Sequence, residues 1–398
     1  MNVREALQPR VRDLPASGIR KFFDMAGETR DAISLSIGEP DFVTPWRIRE
    51  AGIYSLEQGR THYSPNAGLL RLREAVAGYL RRRLGLSYDP ETQIIITVGG
   101  SEAIDLGLRA LAGPGDEVIV PEPSFVAYKP CAILAGATPV PVPLEERDRF
   151  KLTPEKLAKA LTPRSKVLVF PFPNNPTGAV MAREDLEGIA PLIRDSRLIV
   201  LADEIYSELT YSGPHVSLAS LPGLKDRTLV INGFSKTYAM TGWRLGYAAG
   251  HPDLVAAMRR IHQYGIMCSP TVSQHAGIEA LDNCDAEVED MRGEYNRRRR
   301  VMLAGFRRAG LECFEPGGAF YVFPGVGSTG LSSLEFCERL LREERVAVIP
   351  GSAFGEPGEG YIRACYAYSI DNIREALARI GRFAARLRGR DGPFPGGR

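Results

Sequence analysis

The chain has 398 residues, of which 44% are hydrophobic and 25% are charged, and 50 basic residues against 48 acidic residues give it a net charge of +2. These values are close to the average for globular proteins, and they exclude a disordered chain, a collagen-like repeat and a disulfide scaffold. A net charge near zero gives no electrostatic reason to expect a nucleic acid or an anionic membrane as the main partner.

Short hydrophobic runs alternate with helical patterns from Gly68 onward, which predicts a largely parallel sheet built from βαβ units. The first run, Ile94–Thr97, is followed by Gly99–Glu102, where a helix is expected to begin. Six further strands are predicted at Glu117–Pro121, Thr138–Val142, Lys166–Phe170, Arg197–Ala202, Thr228–Asn232 and Gly246–Ala249. We therefore expect an α/β fold whose large domain contains a mostly parallel, seven-stranded sheet.

The pattern changes after residue 284. The charged segment Asp285–Gly310 predicts a long helix, and its run Arg297–Arg300 is interpreted as a solvated helix face rather than a nucleic-acid contact. The rest predicts a small α+β unit with strands at Ala319–Phe323, Val346–Ile349 and Tyr361–Tyr366 and helices at Ser332–Glu343 and Ile373–Leu387. We expect residues 45–284 to form the large domain, residues 1–44 and 285–398 the small one, and the tail from about 388 to be disordered.

The six cysteines are scattered and have no metal-like spacing with the five histidines, so they are interpreted as reduced thiols. The first 15 residues lack the continuous apolar stretch of a secretory signal. No uninterrupted run of about 20 apolar residues is present to span a bilayer. We therefore expect a cytoplasmic protein that uses neither a metal nor a membrane.

Polar residues follow three of the predicted strands. They are the turn Asn174–Gly178, the segment Asp203–Tyr206 and the pair Ser235-Lys236, with Arg244 a few residues later. Because ligands bind at the carboxyl ends of strands in open α/β sheets, we expect these residues to meet in one crevice. Each stretch alone has an ordinary structural explanation as a turn, a strand exit or a surface dipeptide. Turn chemistry does not, however, require an acid, an amide, a phenol and a lysine at one edge of a sheet.

Pyridoxal 5′-phosphate (PLP) would use all of these groups. It needs a lysine for a Schiff base, a carboxylate for its ring nitrogen, donors for its phenolic oxygen and a cradle for its phosphate. The predicted helix start at Gly100–Glu102 offers backbone N–H groups and a positive dipole end to that phosphate. Only eight of the 50 basic residues are lysines, so Lys236 has few competitors for the covalent link.

With these motifs in this order, the chain resembles the class I aminotransferases of fold type I over residues 10 to 385. The stretches that carry the resemblance are Ser36–Phe42, Tyr63–Arg73, Asn174–Gly178, Asp203–Tyr206, Ser235–Arg244 and Tyr361–Arg363. The segment Ser17–Phe23 adds a likeness to the subgroup of bacterial aspartate, aromatic and N-acetyl-diaminopimelate aminotransferases. The resemblance implies a homodimeric, PLP-dependent enzyme with a large and a small domain.

The resemblance also implies roles for residues around the cofactor ring. Lys236 would bind the cofactor covalently and, once released, act as the base that moves the proton from the substrate Cα. Asp203 would pair with the ring nitrogen, and Asn175 and Tyr206 would bind the phenolic oxygen. Phe125 would stack on the ring face.

The phosphate is expected to be bound by Gly100, Ser101, Glu102, Ser235 and Arg244. Tyr63 matches a residue that in relatives reaches the phosphate of the neighbouring subunit, which implies active sites shared within a dimer. On the substrate side, Arg363 would form two parallel charge-assisted bonds with the α-carboxylate. Gly38 and Asn175 would lie beside the substrate.

The predicted reaction moves an amino group from an L-amino acid to the cofactor and then to a 2-oxo acid, 2-oxoglutarate being favoured. An aspartate-type donor is preferred on resemblance, and Arg20 is a candidate for binding its distal carboxylate. Two alternatives stay open: a C–S lyase of the same fold, and a relative that has lost catalysis. A dinucleotide-binding oxidoreductase is disfavoured because no G-x-G-x-x-G opens a helix after an early strand.

Overall fold

The computed structural model describes residues 2–15, 18, 27, 29 and 31–389. Within these ranges the chain forms the strands β1 Ile33–Ser34, β2 Ile94–Thr97, β3 Glu117–Glu122, β4 Thr138–Pro143, β5 Ser165–Phe170, β6 Ile199–Asp203, β7 Thr228–Gly233, β8 Gly246–Ala249, β9 Tyr321–Val322, β10 Val346–Ala347, β11 Ile349–Pro350 and β12 Ile362–Cys365. The seven strands predicted for the large sheet are confirmed, because each predicted range overlaps one of β2 to β8.

The described helices alternate with these strands, as the sequence predicts. They are α1 Val3–Ala6, α2 Pro9–Arg12, α3 Trp46–Glu57, α4 Leu70–Leu84, α5 Gly99–Leu111, α6 Tyr128–Ala135, α7 Pro154–Ala160, α8 Arg183–Arg194, α9 Pro252–Gly265, α10 Thr271–Asn283, α11 Asp285–Arg308, α12 Ser333–Glu344 and α13 Ile370–Leu387. No helix among the described residues is long and apolar enough to cross a membrane.

The large sheet has the strand order β2-β8-β7-β6-β5-β3-β4. Strands β7, β6, β5, β3 and β4 run parallel to their neighbours in that row, whereas β8 is antiparallel to both β7 and β2. The fold class predicted from the sequence, α/β with a mostly parallel sheet, is therefore confirmed. Because β5, β6 and β7 are adjacent and parallel, their carboxyl ends lie at one edge of the sheet.

Both faces of the large sheet are covered by packed side chains, which explains the continuous hydrophobic runs of its strands. In β5, Val167 and Val169 belong to the cluster on one face, and Leu168 and Phe170 belong to the cluster on the other. Successive side chains of a strand point to opposite faces, so an apolar residue is needed at every position of this strand. The core thus holds the strand ends rigidly in place.

The C-terminal part contains a second sheet, in which β12 pairs antiparallel with β11 and β9. The strand expected at Ala319–Phe323 begins later, at Tyr321, because Ala319 has a φ of +57° and so breaks the extended backbone. The strand expected at Val346–Ile349 is divided into β10 and β11, since β10 pairs in parallel with β1 and β11 pairs with β12.

The pairing of β1 with β10 joins a segment near the N-terminus to the C-terminal unit. This contact supports the division that we propose, with residues 45–284 as the large domain and residues 1–44 and 285–398 as the small one. Residues 390–398 of the tail lie outside the described residues. Arg388, at the expected start of the tail, donates hydrogen bonds to the carbonyls of Gly310 and Ala309, at 3.0 and 2.6 Å.

The predicted long helix is confirmed as α11, but the interpretation of its arginine run as a solvated face is half wrong. Arg297 and Arg300 are exposed, whereas Arg298 and Arg299 are only 6% and 8% exposed. A helix rotates by about 100° per residue, so four consecutive residues cannot share one face.

Candidate active site

A cavity of about 330 Å³ lies at the carboxyl ends of β5, β6 and β7. It is lined by most of the residues that the sequence motifs assign to a site: Gly38, Gly100, Ser101, Phe125, Asn175, Asp203, Tyr206, Ser235, Lys236, Arg244 and Arg363. These residues are separated by up to 325 positions in the chain, from Gly38 to Arg363. Their convergence follows from the sheet order and from the contact of the C-terminal unit with this edge.

The Lys236 amine points at a backbone carbonyl in this cavity. It follows β7, and its Nζ donates a hydrogen bond to the carbonyl of Gly38 at 2.7 Å. Burial lowers the pKa of Lys236 to about 8, since the ammonium form is poorly solvated there. About a tenth of the amine is therefore unprotonated at pH 7, far more than of an ordinary lysine, and the unprotonated form is the one that acts as a nucleophile or a base.

Asp203 ends β6 and is 8% exposed. Its carboxylate accepts hydrogen bonds from the Tyr128 hydroxyl at 2.8 Å and from the backbone N–H of Ile205 at 3.2 Å. Burial raises the pKa of Asp203 to about 6, although both hydrogen bonds oppose the shift. Such a carboxylate gains from a nearby cationic N–H, which is what a protonated pyridine ring would supply.

Arg363 lies in β12 and is 2% exposed. Its Nη1 donates to Asn175 Oδ1 at 2.9 Å and its Nη2 donates to the carbonyl of Ser36 at 2.5 Å. The guanidinium carbon lies 4.5 Å from the ring centroid of Tyr321 and 4.9 Å from that of Phe354. These contacts use two of its five N–H groups, so the fork keeps donors for a carboxylate.

The N-terminus of α5 faces the same cavity and has no side-chain cap at its first residue. Gly99 has a φ of +76°, and a Cβ there would meet Arg244 Nη2 at 2.7 Å. Arg244 has a φ of +51°, and its Nη1 donates to the carbonyl of Thr241 at 3.0 Å. Open N–H groups, a helix dipole and a guanidinium together make this end of the cavity suitable for an anion.

Two residues expected at the site do not line the cavity of the single chain. The Glu102 carboxylate accepts a hydrogen bond from the backbone N–H of Val98 at 2.5 Å and lies 2.8 Å from His262 Nδ1. The Glu102 side chain is thus engaged by the start of α5 and by α9, and only its backbone could face a phosphate. Tyr63 is 82% exposed. The proposed Arg20 contact lies outside the described residues.

Two tyrosines that the sequence motifs do not single out take part in the site. Tyr128 donates to Asp203, and the Tyr321 hydroxyl lies 2.8 Å from the Tyr206 hydroxyl. Burial raises the pKa of Tyr206 well above its usual value, so the phenol stays protonated and can donate. The position of Tyr321 in a predicted strand is a weak signal, whereas nothing in the sequence around Tyr128 indicates a contact with Asp203.

A mostly parallel sheet with a lysine, a buried carboxylate, an uncapped helix N-terminus and a buried arginine around one cavity fits the PLP-dependent enzymes of fold type I. The profile of the family described as aminotransferase class I and II matches residues 30–380, and the chain belongs to this family. The protein is a PLP-dependent aminotransferase. The residues of its cavity fit the cofactor, because Lys236, Asp203 and the start of α5 face the same space.

Similar proteins agree with this assignment. The chain is 46% identical to the aromatic-amino-acid aminotransferase 2 of Thermococcus litoralis, over 94% of this chain and 97% of the relative. It is 44% identical to the aspartate aminotransferase of Pyrococcus abyssi, with the same coverage of 94% and 97%. The solved structure of an aspartate aminotransferase from Thermus thermophilus with maleate superposes with a TM-score of 0.91, at 40% identity, over 94% of this chain and 99% of that one.

Proposed function

We propose that this enzyme transfers an amino group from an L-amino acid to 2-oxoglutarate in two successive half-reactions at the cavity, with aspartate-type donors preferred. The observation that carries the proposal is the buried Arg363, which lines the same cavity as Lys236 and uses only two of its donors in the side-chain hydrogen bonds to Asn175 and Ser36. One arginine and one amine on the same cavity match a substrate that carries an α-carboxylate beside the reacting carbon.

Each side chain then has a definite task. Arg363 binds the α-carboxylate by two parallel N–H groups and so fixes the direction of the Cα–H bond. Lys236 Nζ, with its pKa lowered to about 8, accepts the Cα proton and returns it at the end of the half-reaction. PLP, when bound, supplies the aldehyde that takes the amino group and a ring that accepts electron density from Cα.

The residues around the proposed position of the PLP ring would fix the protonation state and the orientation of the ring. Asp203 keeps a proton on the ring nitrogen, because burial without a cationic partner is unfavourable for its carboxylate. Tyr206 donates its hydroxyl proton, and Asn175 its amide, to the phenolic oxygen. Phe125 covers the ring face, while Arg244, Ser235 and the start of α5 bind the phosphate.

The proposed preference for a dicarboxylic donor rests on the family resemblance and on Arg20, since relatives named for either type of donor are similar to this chain. A relative with 44% identity is named an aspartate aminotransferase, and one with 46% identity is named an aromatic-amino-acid aminotransferase. The cations that line the cavity among the described residues are Lys236, Arg244 and Arg363, and each already has a task. A distal carboxylate therefore needs a further cation, for which Arg20 is the candidate.

The proposed active unit is a homodimer formed by a surface near Tyr63. The exposed apolar residues there are Val43, Trp46, Ile53, Tyr54, Leu56, Tyr63, Tyr264, Ile266 and Met267. Residues 62–66 contact residues 267–271, because Asn66 donates to the carbonyl of Met267 at 2.8 Å and Thr271 donates to the carbonyl of His62 at 2.8 Å. Exposed apolar residues on adjoining segments are typical of a protein interface.

The six cysteines are free thiols, which supports the proposed cytoplasmic location.

A spectroscopic experiment tests the covalent chemistry. With PLP added, the wild-type protein should show a visible absorption band that borohydride removes, and Lys236→Ala should lack it. Lys159→Ala is the matched control, because Lys159 is an exposed lysine of α7 and should keep the band. Absence of the band from PLP-treated wild-type protein would overturn the proposed chemistry.

The donor is tested by half-reaction rates. We expect aspartate to convert the cofactor faster than phenylalanine, alanine or N-acetyl-LL-diaminopimelate, and 2-oxoglutarate to reverse the conversion. Rapid conversion with phenylalanine and slow conversion with aspartate would replace the dicarboxylic preference by an aromatic one. Unchanged KM values for aspartate and 2-oxoglutarate in Arg20→Ala would remove the proposed role of Arg20.

A further inference from the structure

Half of the arginine run Arg297–Arg300 in α11 is buried, which a solvated helix face does not explain. Arg298 and Arg299 are buried, and a buried guanidinium is unfavourable unless its charge and its N–H groups are matched. Arg299 donates to the carbonyl of Pro316 at 2.9 Å and pairs with Glu315 at 3.1 Å. Arg298 instead contacts Asp41, which lies 257 positions earlier in the chain.

The guanidinium of Arg298 has two carboxylate partners and two aromatic neighbours. Its Nη1 lies 2.7 Å from Asp41 Oδ1, and its Nε lies 2.8 Å from Glu294 Oε1 on the preceding helical turn. Its guanidinium carbon is 5.2 Å from the ring centroid of Phe42 and 5.9 Å from that of Tyr295. Two carboxylates and two ring faces suit a planar guanidinium with several donors, whereas a lysine amine could not make all four contacts.

Asp41 belongs to a loop, Ser36–Phe42, whose other end contacts the active site. The carbonyl of Ser36 accepts from Arg363 at 2.5 Å, and the carbonyl of Gly38 accepts from Lys236 at 2.7 Å. The loop also packs closely there, since a Cβ on Gly38 would collide with the Tyr321 hydroxyl. The loop therefore contacts two of the three cations to which the proposed function gives a task, Lys236 and Arg363.

These contacts of the loop are expected to weaken when the enzyme is loaded. Lys236 Nζ cannot keep donating to Gly38 once it binds the cofactor, and a substrate carboxylate competes for the donors of Arg363. Other described hydrogen bonds of the loop use neutral donors: one between the hydroxyls of Ser34 and Ser36 at 2.8 Å, one from Thr241 to Glu39 at 3.3 Å and one from Tyr368 to the carbonyl of Ile37 at 3.4 Å. The ion pair of Asp41 and Arg298 is outside the cavity, and it is the charge-assisted contact of the loop that loading leaves intact.

We propose that Arg298 is a positioning residue, which holds the loop Ser36–Phe42 through Asp41 and so keeps Gly38 and Ser36 in place beside the substrate. The inference rests on the proposed function of Lys236 and Arg363. It assigns Arg298 no contact with substrate or cofactor. Its effect on the reaction passes entirely through the position of the loop.

Steady-state kinetics of the holoenzyme give the first test. We expect Arg298→Met and Asp41→Ala each to raise the KM of the amino donor about tenfold while kcat changes less than about threefold, because a displaced loop weakens binding of the ground state and of the transition state alike. The KM of the double variant should be no higher than that of the more impaired single variant, since both changes remove the contact between Arg298 and Asp41. Arg300→Met is the matched control on the exposed face of α11 and should behave as wild type.

Additive effects of Arg298→Met and Asp41→Ala would overturn the inference, as would equal KM values in Arg298→Met and Arg300→Met. Arg298→Lys keeps the charge but loses the fork, so its KM should lie between those of wild type and Arg298→Met. If Arg298→Met does not fold, Asp41→Ala decides alone, because Asp41 is a partly exposed loop residue and alanine leaves no acceptor for Arg298. A wild-type KM in Asp41→Ala then contradicts the inference.

Amide hydrogen exchange of PLP-loaded protein gives a second readout that does not depend on turnover. Peptides covering residues 36–42 should exchange several-fold faster in Arg298→Met than in Arg300→Met, while peptides from β5 to β7 stay unchanged. Unchanged exchange in the loop contradicts the inference. A wild-type enzyme that transfers no amino group from any donor would instead defeat the proposed function, and the exchange experiment would still decide the role of Arg298.

Discussion

At the scale of single residues, Lys236 is an exception to the general use of arginine in this chain. The chain uses arginine for 42 of its 50 basic residues, and no lysine occurs in the 162 residues after Lys236. A guanidinium stays protonated at physiological pH and so can neither accept the Cα proton nor bind an aldehyde, whereas a primary amine can do both. Lys236 is thus the lysine whose identity the proposed reaction requires.

The sequence predicts the residues of the site that lie directly after strands, because strand ends of a parallel sheet meet at one edge. It does not predict Tyr128, which donates to Asp203 from α6, or the pair of Tyr321 with Tyr206. These contacts depend on how a helix and a second sheet pack against the first, and packing geometry is not encoded in a local pattern.

Asp203 carries a pH dependence of stability whose sign follows from its burial. Its pKa rises from 3.8 to about 6 on folding without the cofactor, so the unfolded chain loses its proton first as the pH increases. Stability of the apoprotein that is present below pH 4 is therefore lost as the pH rises through 6, by up to about 3 kcal/mol. Asp203→Asn cannot lose this proton, and its urea midpoint should rise relative to wild type between pH 4 and 7.

The exposed Asp195 at the end of α8 supplies the control for this prediction. Asp195→Asn should follow the wild-type pH profile without the relative rise. Addition of PLP should make the urea midpoint of wild type higher than that of Asp203→Asn at pH 7, because a ring N–H stabilises the Asp203 carboxylate but not an amide. Parallel profiles of Asp203→Asn and wild-type apoprotein would show that the carboxylate titrates normally, against the expectation.

At the scale of secondary-structure elements, the strands of the large sheet follow closely from the sequence because they are buried on both faces. The small sheet follows less closely. The interruption at Ala319 depends on a left-handed backbone conformation that alanine rarely adopts, and the division of β10 from β11 depends on two different partners. Both are consequences of long-range pairing rather than of local preference.

Gly99, at the start of α5, packs against Arg244 in the proposed phosphate site. We expect Gly99→Ala to weaken PLP binding about tenfold or more, because a Cβ at 2.7 Å would displace the Arg244 guanidinium in addition to straining a φ of +76°. A spectral titration of the apoprotein with PLP measures this. Gly115→Ala isolates the backbone strain, since Gly115 has a φ of +91° and a methyl group added there would meet no other atom within 4 Å.

Gly115→Ala should reduce stability by about 1 kcal/mol and leave PLP affinity at the wild-type value. Equal PLP affinities of Gly99→Ala and Gly115→Ala would mean that displacement of Arg244 does not matter for the phosphate. The comparison therefore separates a defect of the fold from a defect of the cradle. It needs no measurement of turnover.

At the scale of the whole molecule, the site depends on two units of the chain and, in the proposed dimer, on a second copy. The first dependence is visible in β1 and β10, whose pairing brings the loop Ser36–Phe42 to the cavity. The second follows from the resemblance around Tyr63, since a local pattern does not distinguish an interface residue from a packed one. The exposed apolar surface around Tyr63 and Tyr264 gives that inference a structural basis.

Sharing of sites between subunits predicts that two defective chains can repair each other. Tyr63→Ala leaves Lys236 intact but removes the contact to the partner's phosphate, and Lys236→Ala does the reverse. In a mixed dimer, one site then has a native Lys236 together with a native Tyr63 from the neighbouring chain. Co-expression at equal amounts should restore about one quarter of the native sites, because half of the dimers are mixed and each has one such site.

The measurement is the specific activity of the co-expressed sample against those of the two homodimers mixed at assay time without exchange. Recovery only after co-expression requires that the residues act across the interface. Lys159→Ala paired with Tyr63→Ala is the control, because its exposed lysine lies outside the site and its activity should equal the mean of its two homodimers. Activity of the Lys236→Ala and Tyr63→Ala mixture no higher than the mean of its homodimers would place Tyr63 outside the neighbouring site.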